Sequence, residues 1–168
     1  NNDGEFKETL TEPGVYKLYS AVEGFMAYSD TTTVFVRFDD SMFVKNIALT
    51  PIEVGASVRL NEIYFDFDKA TLQEQSFLEL ERVITFMNFN KSVVVELSGH
   101  TDNKGSDSYN LSLSQLRAET VVNYLIKHGI AKERLQPVGY GESKPSVENN
   151  TNENRKYNRR VEFTIIKL

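Results

Sequence analysis

The apolar positions of this chain follow two different patterns, and the change falls near residue 55. Up to that residue the pattern is typical of β-strands and has no helical period. Val15 to Tyr19 alternates apolar and polar residues, Thr33 to Phe38 is β-branched and aromatic, and Phe43 to Leu49 favours a third strand. So few strands predict only the end of a β-sandwich, since a complete one needs roughly seven. We therefore expect residues 1–54 to form a short all-β segment.

Strand and helix patterns alternate beyond Gly55, and we expect a second domain over residues 55–168. The first and last strands of this part each put three apolar side chains on one face. These faces carry Ile63, Phe65 and Phe67 at the start and Val161, Phe163 and Ile165 at the end. The four predicted strands span Leu60–Phe67, Ser92–Leu97, Leu135–Tyr140 and Arg160–Ile166.

Two amphipathic helices are predicted between these strands. A capping box begins each of them, formed by Thr71 with Glu74 and by Ser112 with Gln115. Apolar residues follow at helical spacing and should face the core: Phe77, Leu80, Ile84 and Met87 in the first helix, and Ala118, Val121, Val122 and Leu125 in the second. Gly129 suits the position just past the second helix. The predicted order is β-α-β-α-β-β, an α/β fold (an α+β sandwich) with two helices on one small mixed sheet, and residues 142–157 form a polar loop.

Composition excludes several classes of function. The net charge is -5, so there is no bulk electrostatic attraction for nucleic acid. The chain has no cysteine and 2 histidines, and it lacks both the zinc-protease and the calcium-loop spacings. No apolar run approaches the ~20 residues that cross a bilayer. We expect no cofactor and no bound metal. The start at Asn1 without methionine predicts a processed product or a fragment.

The stretch from Gly99 to Val121 carries the most informative chemistry. Asp102 lies in a glycine-containing loop, and Arg117 follows in the second predicted helix, about five residues beyond its start and near the positive end of its dipole. A carboxylate binds an ammonium, and a guanidinium pairs bidentately with a carboxylate. The pair predicts recognition of an amino-acid-like group rather than bond breaking. The alternative is that Asp102 and Arg117 form an ion pair with each other.

Five motifs in order carry a family resemblance: Ile63 to Asp68, Gly99 to Asn103, Leu113 to Ala118, Gly139 to Glu142 with Pro145, and Asn158 to Phe163. With them, the chain from about Leu60 to Leu168 resembles the OmpA-like peptidoglycan-binding domain of OmpA C-terminal regions, Pal lipoproteins and flagellar stator anchors. The resemblance implies a non-enzymatic domain that binds the diaminopimelate-type stem peptide of peptidoglycan without covalent attachment.

The same resemblance implies a ligand site around the central pair. Carried over by position, it comprises Asp68, Ala70, Thr101, Asp102, Asn110, Leu116, Arg117 and Arg159. Three of these have a structural alternative: turn chemistry for Asn110, core packing for Leu116, and acceptance of backbone N–H bonds at a helix start for Asp68. Asp68 also stands where several members have Asn, and Lys104 where many have a small polar residue. His100 is expected to tie the motif loop by a hydrogen bond rather than act as a general base.

The first part of the chain has a resemblance of its own. Pro13-Gly14, a Tyr-rich strand and Gly24-Phe25 are similar to the end of carboxypeptidase-regulatory-like β-sandwich modules. This domain order resembles envelope proteins of Bacteroidetes-type bacteria that anchor a secretion or motility complex. It implies the periplasm of a Gram-negative bacterium, in association with the outer membrane and cell wall. The partners implied are the stem peptide and envelope-complex proteins, with no nucleic acid and no membrane span.

Two other functions compete with a cell-wall anchor. The first is a protein-interaction module that docks through the N-terminal β segment. The second, which we disfavour, is a cell-wall hydrolase with Asp68, Asp102 or Glu142 as its acid or base, because paired catalytic carboxylates need a substrate cleft and amidases need zinc ligands.

Overall fold

The computed structural model describes residues 6–10, 12–34, 44–66 and 68–168. Within these residues there are two sheets. Strands β1 (Gly14–Ser20) and β2 (Tyr28–Val34) form an antiparallel hairpin. Strands β3 (Ser57–Leu60), β4 (Val94–His100), β5 (Leu135–Gly141) and β6 (Arg160–Lys167) form a second sheet in the order β3-β6-β4-β5. Because β4 and β5 run parallel while β6 is antiparallel to both β3 and β4, the sheet is mixed, as predicted.

Three α-helices alternate with the strands of the second sheet. They are α1 (Phe77–Phe89), α2 (Asp107–Lys127) and α3 (Asn152–Asn158), and a 3-10 turn at Glu74–Ser76 leads into α1. The mixed α/β prediction is therefore confirmed, with one helix more than expected. The loop predicted over residues 142–157 is wrong where α3 begins, because Thr151 caps that helix by accepting a bond from the Asn154 N–H at 3.0 Å. A seven-residue polar helix has no apolar period by which to be found.

The core lies between the sheet and the two longer helices. Leu80 and Met87 of α1 are fully buried, as predicted, while Phe77 and Ile84 pack at the edge of the same core. The predicted stripe on α2 and the predicted face of β6 are buried throughout: Ala118, Val121, Val122 and Leu125, with Val161, Phe163 and Ile165. Periodicity alone therefore identified the faces that meet.

Both helix starts predicted from capping boxes are wrong. The Thr71 carbonyl accepts from the Asp66 N–H at 2.9 Å, so Thr71 belongs to a loop before α1. In α2 the cap is Ser106, whose hydroxyl accepts from the Tyr109 N–H at 3.3 Å. Ser112 lies inside the helix and donates to the Ser108 carbonyl at 2.9 Å. A serine within a helix satisfies its hydroxyl in this way, so the box pattern alone does not mark a helix start.

The strand predictions before α1 need two corrections. The strand expected over Leu60–Phe67 is wrong, because β3 ends at Leu60. Beyond it, the Tyr64 N–H donates to Ser76 Oγ at 2.8 Å, so this part of the chain bonds to the 3-10 turn before α1. Ile63 and Phe65 are half-buried against the core, and Phe67 lies outside the described residues. Of the third strand predicted at residues 43–49, the described residues 44–49 form no strand. Beyond Val34, the strand predicted over residues 33–38 also lies outside the described residues.

The N-terminal hairpin and its connecting loop make three polar contacts with the β3–α1 segment. Tyr19 donates its hydroxyl to the Arg82 carbonyl of α1 at 2.9 Å, and the Gly24 N–H donates to Oδ1 of Asn90, the residue after α1, at 2.7 Å. Lys17 forms an ion pair at 3.2 Å with Glu62, which follows β3. The hairpin is therefore held against the loop after β3 and against α1.

Helix α2 lies directly on the backbone of the sheet. A Cβ atom placed on Gly99 would stand 2.3 Å from the Ser114 carbonyl oxygen, and one placed on Gly139 would stand 2.3 Å from the Gln115 nitrogen. Two side chains close this contact: Ser114 Oγ accepts from the Gly141 N–H at 2.8 Å, and Gln115 Oε1 accepts from the Gly139 N–H at 2.7 Å. Only glycine permits this approach, because the clashing atoms belong to the helix backbone.

A methyl group added at the close approach of helix and sheet should strongly reduce the stability of the fold. Gly139→Ala should lower the free energy of unfolding by about 3 kcal/mol, because the helix must move to accept the Cβ. Gly14→Ala is the matched control, since its Cβ would meet only the Tyr16 ring at 3.6 Å. Urea unfolding monitored by circular dichroism measures both variants. Equal stability of the two would contradict the packing described.

Candidate functional site

Asp102 lies just past the end of β4, in the loop that leads to α2. It is buried, with 7% of its surface exposed. Its Oδ1 accepts from the Lys104 N–H at 2.9 Å, and its Oδ2 forms an ion pair with Arg159. The Thr101 N–H before it donates to the Gly141 carbonyl at 2.9 Å. The carboxylate is thus held in one orientation by groups from the loop and from the start of β6.

Arg117 occupies the middle of α2. It lies ten residues after Asp107, the first residue of the helix, so the expected place near the positive end of the dipole is wrong. Its Nε donates to the Lys69 carbonyl at 3.0 Å, and its guanidinium carbon lies 5.0 Å from the centre of the Phe65 ring. Both contacts come from the loop before α1.

The side chain of Arg117 is half-buried, and it has no direct counter-ion among the described residues. Burial lowers the pKa of Arg117, and the Tyr109, Asp68 and Asp102 groups oppose that shift. No carboxylate of the described residues lies within 4.0 Å of it. The alternative that Asp102 and Arg117 pair with each other therefore does not describe the structure, in which Asp102 pairs with Arg159. Arginine stays charged at all relevant pH values, so the cation persists.

Arg159 is positioned by the residue before it. Asn158 is fully buried, and its amide satisfies four groups of the loop before α3. Its Oδ1 accepts from the N–H groups of Ser146 and Val147 at 2.9 and 3.1 Å, and its Nδ2 donates to the Val147 carbonyl and to Asn149 Oδ1, both at 2.8 Å. Asn158 was not expected at the site, although it stands in the same motif as Arg159. The role of Asn158 becomes apparent only from its burial in the structure.

Asn110 links the two halves of the site. It is buried in the first turn of α2, and its Nδ2 donates to Glu142 Oε2 at 2.5 Å and to the Asp102 carbonyl at 3.2 Å. Its amide therefore ties the motif loop to the end of β5, which is more than the local turn chemistry considered as its alternative. This hydrogen bond makes Glu142 a part of the candidate site.

The remaining expected residues occupy different environments. Asp68 is exposed and has a φ of 58°, the left-handed conformation that Asn and Asp tolerate best among non-glycine residues. Ala70 is half-buried in the same loop, and Thr101 is buried with no partner for its hydroxyl among the described residues. Leu116 is 53% exposed, so its core-packing alternative is wrong.

Tyr109 joins this group and was not expected. It precedes Asn110 in the first turn of α2, and its hydroxyl donates to Asp68 Oδ1. This bond raises the pKa of Tyr109. Tyr109 was missed because the helix was expected to begin at Ser112. A helix capped by Ser106 would have placed Tyr109 on the same helix as Arg117, two turns before it.

His100 is a buried, neutral side chain and does not hold the motif loop by a hydrogen bond within the described residues. Its ring stacks on Tyr140 at 5.4 Å between centroids, and neither ring nitrogen has a hydrogen-bond partner in the described part of the chain. The expected hydrogen bond is therefore absent there. Burial, reinforced by Arg160, lowers the pKa of His100 to about 4.

Residues 6–10, 12–34, 44–66 and 68–168 contain neither a candidate metal site nor a helix able to span a membrane. No group of three or more His, Cys, Asp or Glu side chains in these ranges could hold a metal ion. None of the helices in these ranges combines the length and the apolar character needed to cross a bilayer.

A model of the OmpA family matches residues 64–159, more than half of the chain. Outer membrane porin F of Pseudomonas fluorescens is 42% identical over 104 residues, which are 62% of this chain and 32% of the porin. This chain therefore spans about a third of the length of that relative.

Two solved structures share the fold. The cell wall anchor of the T6SS from Pseudomonas aeruginosa has a TM-score of 0.57 and 27% identity, covering 67% of this chain and 80% of that one. The peptidoglycan-associated lipoprotein from Burkholderia pseudomallei has a TM-score of 0.55 and 28% identity, covering 61% of this chain and 87% of that one.

The buried histidine predicts how stability depends on pH. Between pH 6.5 and about 4 the unfolded chain binds a proton at His100 that the folded chain does not. The free energy of unfolding should therefore fall with decreasing pH, by up to about 1.4 kcal/mol per unit from this group. His100→Phe keeps the ring stacking and should remove this component. Urea unfolding of both proteins at several pH values measures the difference; parallel curves would contradict it.

Removing the Asn158 amide should have a large effect on the stability of the fold. Asn158→Ala should lower the free energy of unfolding by about 3 kcal/mol, because it leaves buried N–H and C=O groups without partners. Lys156→Ala, an exposed change on the same helix, should stay within about 0.5 kcal/mol of the wild type. Thermal and urea unfolding test both. A mild effect at Asn158 would mean that the loop before α3 is held by other contacts.

Proposed function

Because the chain belongs to the OmpA family, we propose that residues 55–168 bind the stem peptide of peptidoglycan non-covalently through its diaminopimelate side chain. In this way the protein anchors an outer-membrane or periplasmic assembly to the cell wall. The end of a diaminopimelate side chain carries an ammonium and a carboxylate, so its site needs an anion and a cation close together. The observation that carries the proposal is the guanidinium of Arg117, which is partly buried and has no counter-ion among the described residues.

Arg117 would bind the ligand carboxylate. Its Nε is occupied by the Lys69 carbonyl, and its face is covered by Phe65. The two Nη groups have no partner among the described residues, and they are the pair of donors that a carboxylate accepts side by side. A half-buried cation gains more from such a partner than an exposed one, because water competes less.

Asp102 would bind the ligand ammonium. Its Oδ2 already accepts from Arg159, and its Oδ1 accepts from the Lys104 N–H. Each carboxylate oxygen has capacity for a second donor, so the ammonium adds to these bonds without breaking them. Arg159 then stays bonded to Asp102 and holds its carboxylate in position. The buried hydroxyl of Thr101, beside Asp102, offers a further polar contact.

An apolar contact completes the proposed site. Leu116 precedes Arg117 on α2 and leaves 53% of its surface exposed. The methylene groups of a diaminopimelate side chain would bury part of this surface. The half-buried Ala70 and the Asn110 amide belong to the surrounding loops and help to shape the site.

The proposed function is binding without catalysis. The carboxylates considered for a hydrolase are each engaged by a neighbouring side chain. Asp68 accepts from the Tyr109 hydroxyl, Asp102 pairs with Arg159, and Glu142 accepts from the Asn110 amide. His100 is buried, and its lowered pKa keeps the ring neutral near pH 7. We therefore place the protein among cell-wall anchors of the periplasm and outer membrane.

A second candidate function concerns residues 1–54, which we propose form a β-rich unit that contacts the following domain through its hairpin. The described residues of this unit expose large apolar side chains, among them Val15 at 67% and Val44 at 70%. Apolar side chains that lie together on one surface mark contact sites for other proteins. We propose that this unit contacts other components of an envelope complex.

Calorimetry with a diaminopimelate-containing stem peptide tests the binding proposal. Arg117→Ala and Asp102→Asn should each weaken binding by about a hundredfold or more, because each leaves one ligand charge unpaired. Lys127→Ala is the control on the same helix, about 15 Å further along its axis, and should bind like the wild type. A stem peptide with lysine in place of diaminopimelate lacks the terminal carboxylate and should bind weakly to all four proteins. Full binding by Arg117→Ala would exclude the assigned pocket.

A further inference from the structure

The orientation of Arg117 depends on a loop far away in sequence. The loop of residues 65–72 supplies both the Lys69 carbonyl that accepts from Arg117 Nε and the Phe65 ring that faces the guanidinium. Lys69 lies 48 residues before Arg117. Any movement of this loop relative to α2 would therefore turn the guanidinium.

The loop is not part of the four-stranded sheet. An isolated bridge joins Phe65 to Leu72, and the Asp66 N–H donates to the Thr71 carbonyl at 2.9 Å. The Lys69 N–H donates to the Asp66 carbonyl at 3.1 Å, and Asp68 at the turn has left-handed backbone angles. These bonds give the loop its shape, but they do not fix its distance from α2.

One further side-chain bond joins the tip of the loop to α2. Tyr109 donates its hydroxyl to Asp68 Oδ1. Tyr109 and Arg117 lie eight residues apart, about 12 Å along the helix axis. The loop is thus held to α2 at two points, through Tyr109 near the start of the helix and through Arg117 near its middle.

We propose that the Tyr109–Asp68 hydrogen bond is a clasp that orients Arg117 for its carboxylate ligand. The clasp holds the loop against α2, so that Lys69 and Phe65 occupy one edge and one face of the guanidinium and leave its Nη donors for the ligand. Tyr109 and Asp68 are positioning residues. The role of Asp68 is to accept a hydrogen bond, and its charge is not required to bind the ligand ammonium.

This inference rests on the proposed function for its ligand but makes a separate claim about the free protein. If Asp68 serves as an acceptor, Asp68→Asn keeps the clasp, because an amide oxygen also accepts from a phenol. If Asp68 instead bound the ammonium by charge, Asp68→Asn would lose affinity, and Tyr109→Phe would not. The two roles therefore predict opposite rankings of the same two variants.

The first test uses the protein without ligand. In the wild type, the Nε–H of Arg117 should give an NMR signal protected from solvent exchange by its bond to Lys69. Tyr109→Phe should accelerate that exchange by about tenfold, the effect of losing one hydrogen bond. Asp68→Asn should leave the exchange as it is, and so should Tyr157→Phe, the control for an exposed tyrosine on α3. An unchanged rate in Tyr109→Phe overturns the clasp.

The second test uses stem peptides with a free or an amidated diaminopimelate carboxylate. Tyr109→Phe and Asp68→Ala should each weaken binding of the free form by about tenfold and of the amidated form by little, because only the free form needs an oriented Arg117. The double variant should lose no more than either single one. Wild-type affinity of Tyr109→Phe, or weak binding by Asp68→Asn, overturns the clasp. No binding by the wild type rejects the proposed function, and the exchange measurement then decides the clasp by itself.

Discussion

The contact between α2 and the backbones of β4 and β5 is the constraint on which the rest of the site depends. Gly99 and Gly139 let the helix approach until a Cβ atom would have no room. Helix α2 carries Tyr109, Asn110 and Arg117, while the loop after β4 carries Asp102. Because helix and strands meet at backbone distance, packing sets the position of α2 relative to the end of β4, from which the loop with Asp102 begins. The proposed binding site would therefore require little ordering when the ligand arrives.

Polar groups then connect the loops around that contact. Asn110 joins the motif loop to Glu142, Asn158 holds the loop before α3, and Arg159 reaches Asp102. A buried amide that satisfies several groups is costly to replace, so these bonds define one conformation for each loop. Arg117 is the exception, since it is partly desolvated and lacks a counter-ion among the described residues. A ligand carboxylate would supply this counter-ion.

Much of the fold was predictable from the periods of apolar residues. The core faces of α1, α2 and β6 follow directly from spacings of three, four and two residues, because those spacings put side chains on one surface. Element ends were less predictable. Ser112 matched a capping box and yet lies inside α2, where the Ser108 carbonyl accepts its hydroxyl proton. The polar helix α3 has no apolar stripe, so nothing in its sequence distinguished it from a loop.

The sequence by itself determined the two charged groups on which the proposed site is built. Asp102 and Arg117 were identifiable as a carboxylate and a guanidinium within ordered motifs, since side-chain chemistry and local spacing are properties of the sequence. Only the tertiary structure decided which groups bond to them. Arg159 lies 57 residues from Asp102, and Tyr109 lies 41 residues from Asp68. Such partners depend on how distant elements pack, and local spacing contains no information about distances of that kind.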